Sequence, residues 1–161
     1  MEFFLKNLSE IKIAELRALK SVVAGLDVGD KTVGVAVSDD RIKIASGVTT
    51  ISRNGTDRDF KFLLESLANY KIGLIIVGWP LQTNGLAGER CEKTLEFAKR
   101  LSTFVSVDFA KWDERFSTKI VDNLMIAADM SRKKRKKAVD RSAAIYILQG
   151  ALDFLNAKDG F

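Results

Sequence analysis

Histidine is absent from this chain of 161 residues. Imidazole is thereby excluded as metal ligand, as general base and as a member of a Ser-His-Asp triad. Any hydrolytic chemistry must run on carboxylates, lysine, hydroxyls or a metal ion. Cysteine is nearly absent: the single Cys91 permits no internal disulfide, which suits a reducing compartment. No run of about 18 apolar residues exists, so no membrane-crossing helix is expected. The first residues, Met1-Glu2-Phe3-Phe4-Leu5-Lys6, carry charge throughout and lack the long apolar core of a signal peptide. These absences together point to a soluble, cytoplasmic protein without a membrane partner.

What is present fits one domain. A chain of this length buries roughly 70% of its extended surface and needs no covalent staples. Hydrophobic residues make up 47% and charged residues 29%, as in ordinary globular proteins. The net charge of +5 favours anionic partners such as nucleic acid without proving one.

Residues 1–20 read as a helical extension, with Asn7 and Glu10 at capping-box spacing. Three strands follow: Ser21–Val28, then Val33–Ser38 after the turn Gly29-Asp30-Lys31-Thr32, then about Ile42–Ile51. Tight turns make them antiparallel neighbours. Thr56 is placed to cap a helix to about Tyr70, and the apolar run Ile72–Gly78 reads as a buried parallel strand. A helix over Ala87–Leu101, a fifth strand over Phe104–Trp112, a helix over Ser117–Ala128 and a last helix over Asp140–Asn156 complete the pattern. The expectation is an α/β fold: a mixed five-stranded sheet, an antiparallel meander joined to parallel strands, flanked by helices. Residues 21–161 would form the single domain.

Four segments carry candidate chemistry. In Gly25-Leu26-Asp27-Val28-Gly29, strand alternation puts Val23, Gly25 and Asp27 on one face. A carboxylate there is costly to bury unless paired with something such as a cation. The plainer reading is an aspartate bonded to turn amides. Asp113-Glu114-Arg115-Phe116-Ser117-Thr118 stands where the fifth strand ends, the usual place for ligands in α/β sheets. Its two acids can reach a metal and Arg115 can grip a phosphate, although a helix cap with a surface ion pair would also account for them. Asp140 precedes the small residues Ser142, Ala143 and Ala144, which would let a helix lie close to the sheet, and capping alone would also explain it. The run Arg132, Lys133, Lys134, Arg135, Lys136 and Lys137 is either a solvated loop or a phosphodiester-binding stretch. Asn84-Gly85, in the loop opened by Trp79-Pro80, marks a turn and a candidate substrate loop.

Taken together, these segments resemble the YqgF family of Holliday-junction-resolvase-like proteins. Gly25-Leu26-Asp27-Val28-Gly29 through Asp39 matches its first motif, and Val77 to Gly85, Asp113 to Thr118 and Val139 to Gln149 match in order, over roughly residues 21–155. The resemblance implies a ribonuclease H-like fold and a nuclease that processes the 5′ end of small-subunit ribosomal RNA precursors. It implies Asp27, Glu114 and Asp140 as metal-binding catalytic acids, Asp113 as a fourth candidate, and Gln149 as a packing residue. Trp79 and Asp30 stand where many members have Leu and Thr. Related resolvases of the RuvC type carry an acid at the end of the fourth strand, where this chain has Trp79-Pro80.

Carboxylates without histidine suit Mg2+ or Mn2+, which prefer oxygen ligands. Two such ions would activate water and stabilise the leaving oxygen, with Asp27 bridging them and Arg115, Asn84 and the basic run at 132–137 holding the nucleic acid. The partner so implied is an RNA precursor or a DNA junction, and with it the ribosomal small subunit; a monomer and a weak dimer both fit. Three rivals stand beside this reading: a Holliday-junction resolvase acting on DNA, a non-catalytic RNA-binding assembly factor, and an ATPase of the actin and sugar-kinase type. The last needs two such lobes, more than 161 residues supply.

Overall fold

Short apolar segments separated by polar turns build a sheet whose two faces are both covered. The computed structural model describes residues 2–82, 84–113 and 132–159, with the backbone alone over 132–142 and at 159. In chain order the elements are β1 (Leu5–Asn7), a 3-10 turn (Leu8–Glu10), α1 (Ile13–Ala18), β2 (Val22–Val28), β3 (Thr32–Ser38) and β4 (Ala45–Ser52). Then come α2 (Arg58–Ser66), β5 (Ile72–Trp79), α3 (Glu89–Leu101), β6 (Asp108–Asp113) and α4 (Arg132–Asp159). The sheet order is β1-β6-β5-β2-β3-β4. β2, β3 and β4 form the expected antiparallel meander, while β5 lies parallel to β2 and β6 parallel to β5.

Strand alternation divides the core in two. Ala24, Leu26 and Val28 face one way and pack with Phe60, Leu63 and Phe97 of α2 and α3. Val23, Ile76 and Ala110 face the other way, against Ala144, Ile147, Leu148 and Ala151 of α4. With helices on both faces, β5 is apolar at successive positions, as buried parallel strands are. Among the described residues no helix is long and apolar enough to cross a membrane.

The sheet has six strands, not the five expected from the sequence. Residues 1–20 are helical only over α1. The capping-box pair Asn7 and Glu10 is real, but it closes the 3-10 turn, with Asn7 N–H donating to Glu10 Oε2 at 2.8 Å. The residues before it add β1 in parallel to β6, Leu5 opposite Phe109, and Phe3 meets Phe109 edge-on at 5.4 Å. Leu8, Ile11 and Ile13 are buried in the α4-side core. A three-residue strand has too few positions to show a period of two, so only its partner reveals it.

Two other boundaries moved for local reasons. Thr56 does not cap α2. The helix follows Asp57, and the buried carboxylate of Asp59 reaches back to accept from the Asn54 and Gly55 amides at 3.0–3.1 Å. β4 begins at Ala45 rather than Ile42, because residues 39–44 are a closed turn. Asp39 Oδ1 accepts from the amides of Lys43 at 2.8 Å and Ile44 at 3.0 Å. Ile42 takes a left-handed φ of 58° with its side chain fully buried, a conformation a β-branched residue holds only when its surroundings impose it. Gln149 supplies part of that imposition. Rather than packing, its amide donates to Lys43 O at 2.8 Å and accepts from Ala45 N–H at 2.9 Å.

Asp59→Ala leaves the Asn54 and Gly55 amides without their acceptor. It should lower unfolding stability by about 1.5–3 kcal/mol, the range for hydrogen bonds to a charged group, read as a shifted urea midpoint with an unchanged slope. Partial burial acts to raise the pKa of Asp39, but the Ile44 and Lys43 amides, its own amide and Arg41 outweigh it and hold the carboxyl below its usual range. A depressed folded-state pKa stabilises above the unfolded pKa, and the stabilisation is lost as pH falls through the folded value. Amide exchange at Lys43 and Ile44 should therefore accelerate below about pH 4 relative to the core strands.

Candidate active site

Asp27 is the next-to-last residue of β2, half-buried. It shares a face with Val23 and Gly25, the face that α4 covers. Gly25 is what lets the helix come so close: a Cβ there would lie 2.7 Å from Leu148 Cβ. Across the ladder, Asp27 is directly opposite Gly34 of β3. On its other side Leu26 is registered with Val77, so the following residue of β5 is Gly78. Glycines thus flank Asp27 on both neighbouring strands.

β2, β5 and β6 run parallel, so Val28, Trp79 and Asp113 close their strands at one edge of the sheet. This is where α/β sheets bind ligands. The β2–β3 turn beyond Asp27 is held firmly. Gly29 N–H donates to Thr32 O at 2.9 Å, and Arg53 reaches in from β4's end, its Nη1 donating to Gly29 O at 2.6 Å and its backbone N–H to Lys31 O at 2.8 Å. The Arg53 guanidinium also lies 5.0 Å over the Phe97 ring.

α4 runs antiparallel to β2. Its C-terminal end is tied to the opposite edge: Lys158 Nζ donates to Ile11 O at 2.6 Å and Asn156 Nδ2 to Ile42 O at 2.9 Å. From Leu148 on Gly25, the helix therefore climbs toward Asp27's end as residue numbers fall. Residues 140, 144 and 148 share a stripe at four-residue spacing, and Ala144 and Leu148 of that stripe are fully buried on the sheet. Eight helical residues rise about 12 Å, while Gly25 to Asp27 advances about 6.6 Å along the strand. Position 140 therefore stands about 5 Å past Asp27 along this direction.

Among the described residues the helix already includes Arg132, eight residues before the start expected from the sequence. Lys and Arg are good helix formers, and neither Gly nor Pro interrupts 132–149. The stretch from Arg132 to Lys137 is thus helical backbone rather than loop, and Asp140 is an interior helix residue rather than a cap. Aspartate is a poor interior helix residue, so capping no longer accounts for it.

The other candidates separate. In β6, Ala110 and Trp112 face α4, with Trp112 Nε1 only 2.9 Å from where a Cβ on Gly150 would sit. Alternation then sends Asp113, with Lys111, to the opposite face from Asp27. Glu114 and Arg115 lie outside the described residues, as does the helix expected over Ser117–Ala128. The side chains of Arg132, Lys133, Lys134, Arg135, Lys136, Lys137 and Asp140 lie outside them too. Asn84 Oδ1 accepts from Leu86 N–H at 3.0 Å, and Gly85 adopts a φ of 84°, so this amide shapes the loop after β5. Among the described residues no three acidic or cysteine side chains gather as a metal cluster. Reading the sequence alone missed Arg53 and the pairing of Lys111 with Trp79, because both depend on strand register.

This arrangement defines a class. A mixed sheet in this order, an acid on its middle strand at the parallel edge and a long helix across that face make up a ribonuclease H-like fold, and its family and named relatives make the chain a nuclease, a hydrolase of phosphodiester bonds. The chain belongs to the RuvX family, described as Holliday junction resolvase, whose profile matches residues 21–154. It is 45% identical over 131 residues to a Clostridium kluyveri protein named "Putative pre-16S rRNA nuclease", covering 81% of this chain and 96% of that one. A Bacillus subtilis protein of the same name is 45% identical over 136 residues, covering 83% and 99%. Among solved structures, Thermus thermophilus RuvC in complex with a Holliday junction substrate superposes with a TM-score of 0.53 at 14% identity, over 87% of this chain and 96% of that one. The likeness to RuvC concerns the fold.

Gly25→Ala places a methyl group against Leu148 and should destabilise the protein by about 1–3 kcal/mol, as overpacking does. Combining it with Leu148→Ala should cost less than the two single changes summed, measured by a double-mutant cycle in urea.

Proposed function

We propose that this protein is a metal-dependent ribonuclease that processes the 5′ end of the small-subunit ribosomal RNA precursor in the cytoplasm. The observation that carries the reading is Asp27: a carboxylate on the central strand, at the ligand-binding edge, with glycine on both flanks. A structural aspartate needs only its partners. This one also stands between glycines of the two neighbouring strands, Gly34 and Gly78, which leave the least side-chain bulk beside a phosphate and its cations. The oxygen-only donor chemistry of a chain without histidine fits Mg2+ or Mn2+.

Three acids are assigned to the metals. Asp27, Glu114 and Asp140 would hold them, as the family resemblance implies, with Asp27 supplied by β2 and Asp140 by α4. Asp113 would then serve at the rim rather than as a ligand. Bound at these carboxylates, divalent ions would lower the pKa of the attacking water and take up charge on the leaving oxygen. The chain's own part is to fix the carboxylates: α4 held flat by Gly25, and the β2 end held by Arg53. Arg115, Asn84 and the basic stretch from 132 to 137 are assigned to the phosphodiester backbone, contacts that position a strand without reading its sequence. The RNA substrate is taken from the names of the relatives, which match this chain over almost their whole lengths.

The test is cleavage of a precursor RNA carrying the 5′ extension, with Mn2+ or Mg2+, beside a four-way DNA junction. Wild type should shorten the RNA and be silenced by EDTA. Asp27→Asn, Glu114→Gln and Asp140→Asn should each lose more than the about 10–100-fold typical of removing an outer-sphere partner, with thermal stability kept or raised. Cleavage by Asp27→Asn equal to wild type sinks the enzyme reading. RNA binding without cleavage in either protein favours an assembly factor, and junction cutting without RNA cleavage favours the resolvase.

A further inference from the structure

We propose that Trp79 and Lys111 form a docking platform for one unpaired nucleobase of the substrate strand, on the side of the sheet edge opposite the Asp27 carboxylate. The proposal rests on the nuclease reading and specifies which form of nucleic acid the site takes.

Trp79 ends β5 and is registered with Asp113, the last residue of β6. It is half-buried, and among the described residues it belongs to neither buried cluster, whereas the protein's other tryptophan, Trp112, is packed under α4 against Gly150 and Phe154. What Trp79 does have is Lys111, whose Nζ lies 5.0 Å from the ring centroid. Lys111 is registered with Val77, two residues before Trp79, so both side chains rise from the same face of adjacent strands. An indole plate with an ammonium beside it is the pairing that holds single strands: the ring stacks on a base and the cation meets the neighbouring phosphate.

The position connects this platform to the chemistry. Asp27 stands beside Gly78, on the strand adjacent to Trp79's, so the carboxylate and the ring sit back to back across one rim. A strand crossing that rim presents a phosphate to Asp27 and a neighbouring base to Trp79. The loop from Pro80 to Leu86 borders the same rim, closed by Gln82 N–H donating to Leu86 O at 2.9 Å, and exposes Leu86 at 63%. A base within a duplex has no free face, so the platform selects unpaired nucleotides.

The measurement uses the full chain carrying Asp27→Asn, to suppress cleavage, with a fluorescent 12-nucleotide single-stranded RNA, the same sequence as DNA, and the RNA as a duplex. Anisotropy reports binding, and intrinsic tryptophan emission reports stacking. Adding Trp79→Ala should weaken single-strand binding about tenfold or more, the effect of losing one stacked base. Trp79→Phe should bind within about threefold of the parent, because it keeps a stacking face, yet lose the emission quench. Lys111→Met should weaken binding and flatten its salt dependence. Near-UV circular dichroism from Trp112 checks that each variant keeps its core. A quench that persists in Trp79→Phe, Trp79→Ala binding within twofold of the parent, or equal affinity for the duplex would each overturn the platform. Failure of the parent to bind any of the three nucleic acids would instead overturn the nuclease reading beneath it. RNA and DNA single strands bound alike would support base stacking that ignores the sugar.

Discussion

The closeness of α4 to β2 is the constraint on which the rest depends. It exists because position 25 has no side chain: any Cβ there would strike Leu148. The helix therefore lies flat across the sheet along a stripe of small and aliphatic residues, Ala144, Leu148 and Ala151. Its far end is anchored through Asn156 and Lys158. A long helix held at its middle and its end points its first turns in one direction only, toward the edge that carries Asp27. In this way a packing requirement sets the direction in which the helix backbone, position 140 included, runs over the sheet.

A second glycine effect acts at right angles to the first. Gly34 and Gly78 stand beside Asp27 on the strands to either side. Their cost to strand stability is modest, and they add no side-chain bulk beside the carboxylate. Arg53 complements them from outside the ladder, fixing the Gly29 carbonyl so that the end of β2 does not fray. The edge is rigid where the acid sits and lined on its other face by Trp79 and Lys111. One rim thus carries a carboxylate on one face and an aromatic ring with its cation on the other.

The N-terminal residues show a different use of the same sheet. The family match begins at residue 21, and the residues before it add a strand beside β6 and bury Leu8, Ile11 and Ile13. An open strand edge invites pairing with other chains, and β1 covers the edge next to the strand that leads to Glu114. Lys6 with Asp108, 3.1 Å apart, adds an exposed ion pair of small weight.

Much of this was legible in the residues themselves. The meander, the buried run at 72–78, the helices near 58–66 and 89–101 and the place of Asp27 on a central strand all follow from local patterns: period two, period 3.6, turn residues, and a charge set among apolar neighbours. The sixth strand was not legible, because three residues carry no period. Nor was the reach of α4 back to Arg132, where a dense positive run looks like solvated loop until a helix is seen through it. Gln149 looked like a packing residue and proved to be a hydrogen-bonding clamp on the 39–45 turn, since nothing near it in sequence names its partners. Composition and local spacing by themselves determined the α/β scaffold and the absence of imidazole, which leaves carboxylates as the candidate groups, because these depend on residue type and on neighbours a few positions away. Only tertiary structure decided that Asp113 and Asp27 lie on opposite faces, that Asp140 is interior to a helix, and that Trp79 meets Lys111. Each of those depends on strand register and helix direction, which are fixed by contacts between residues far apart in the chain.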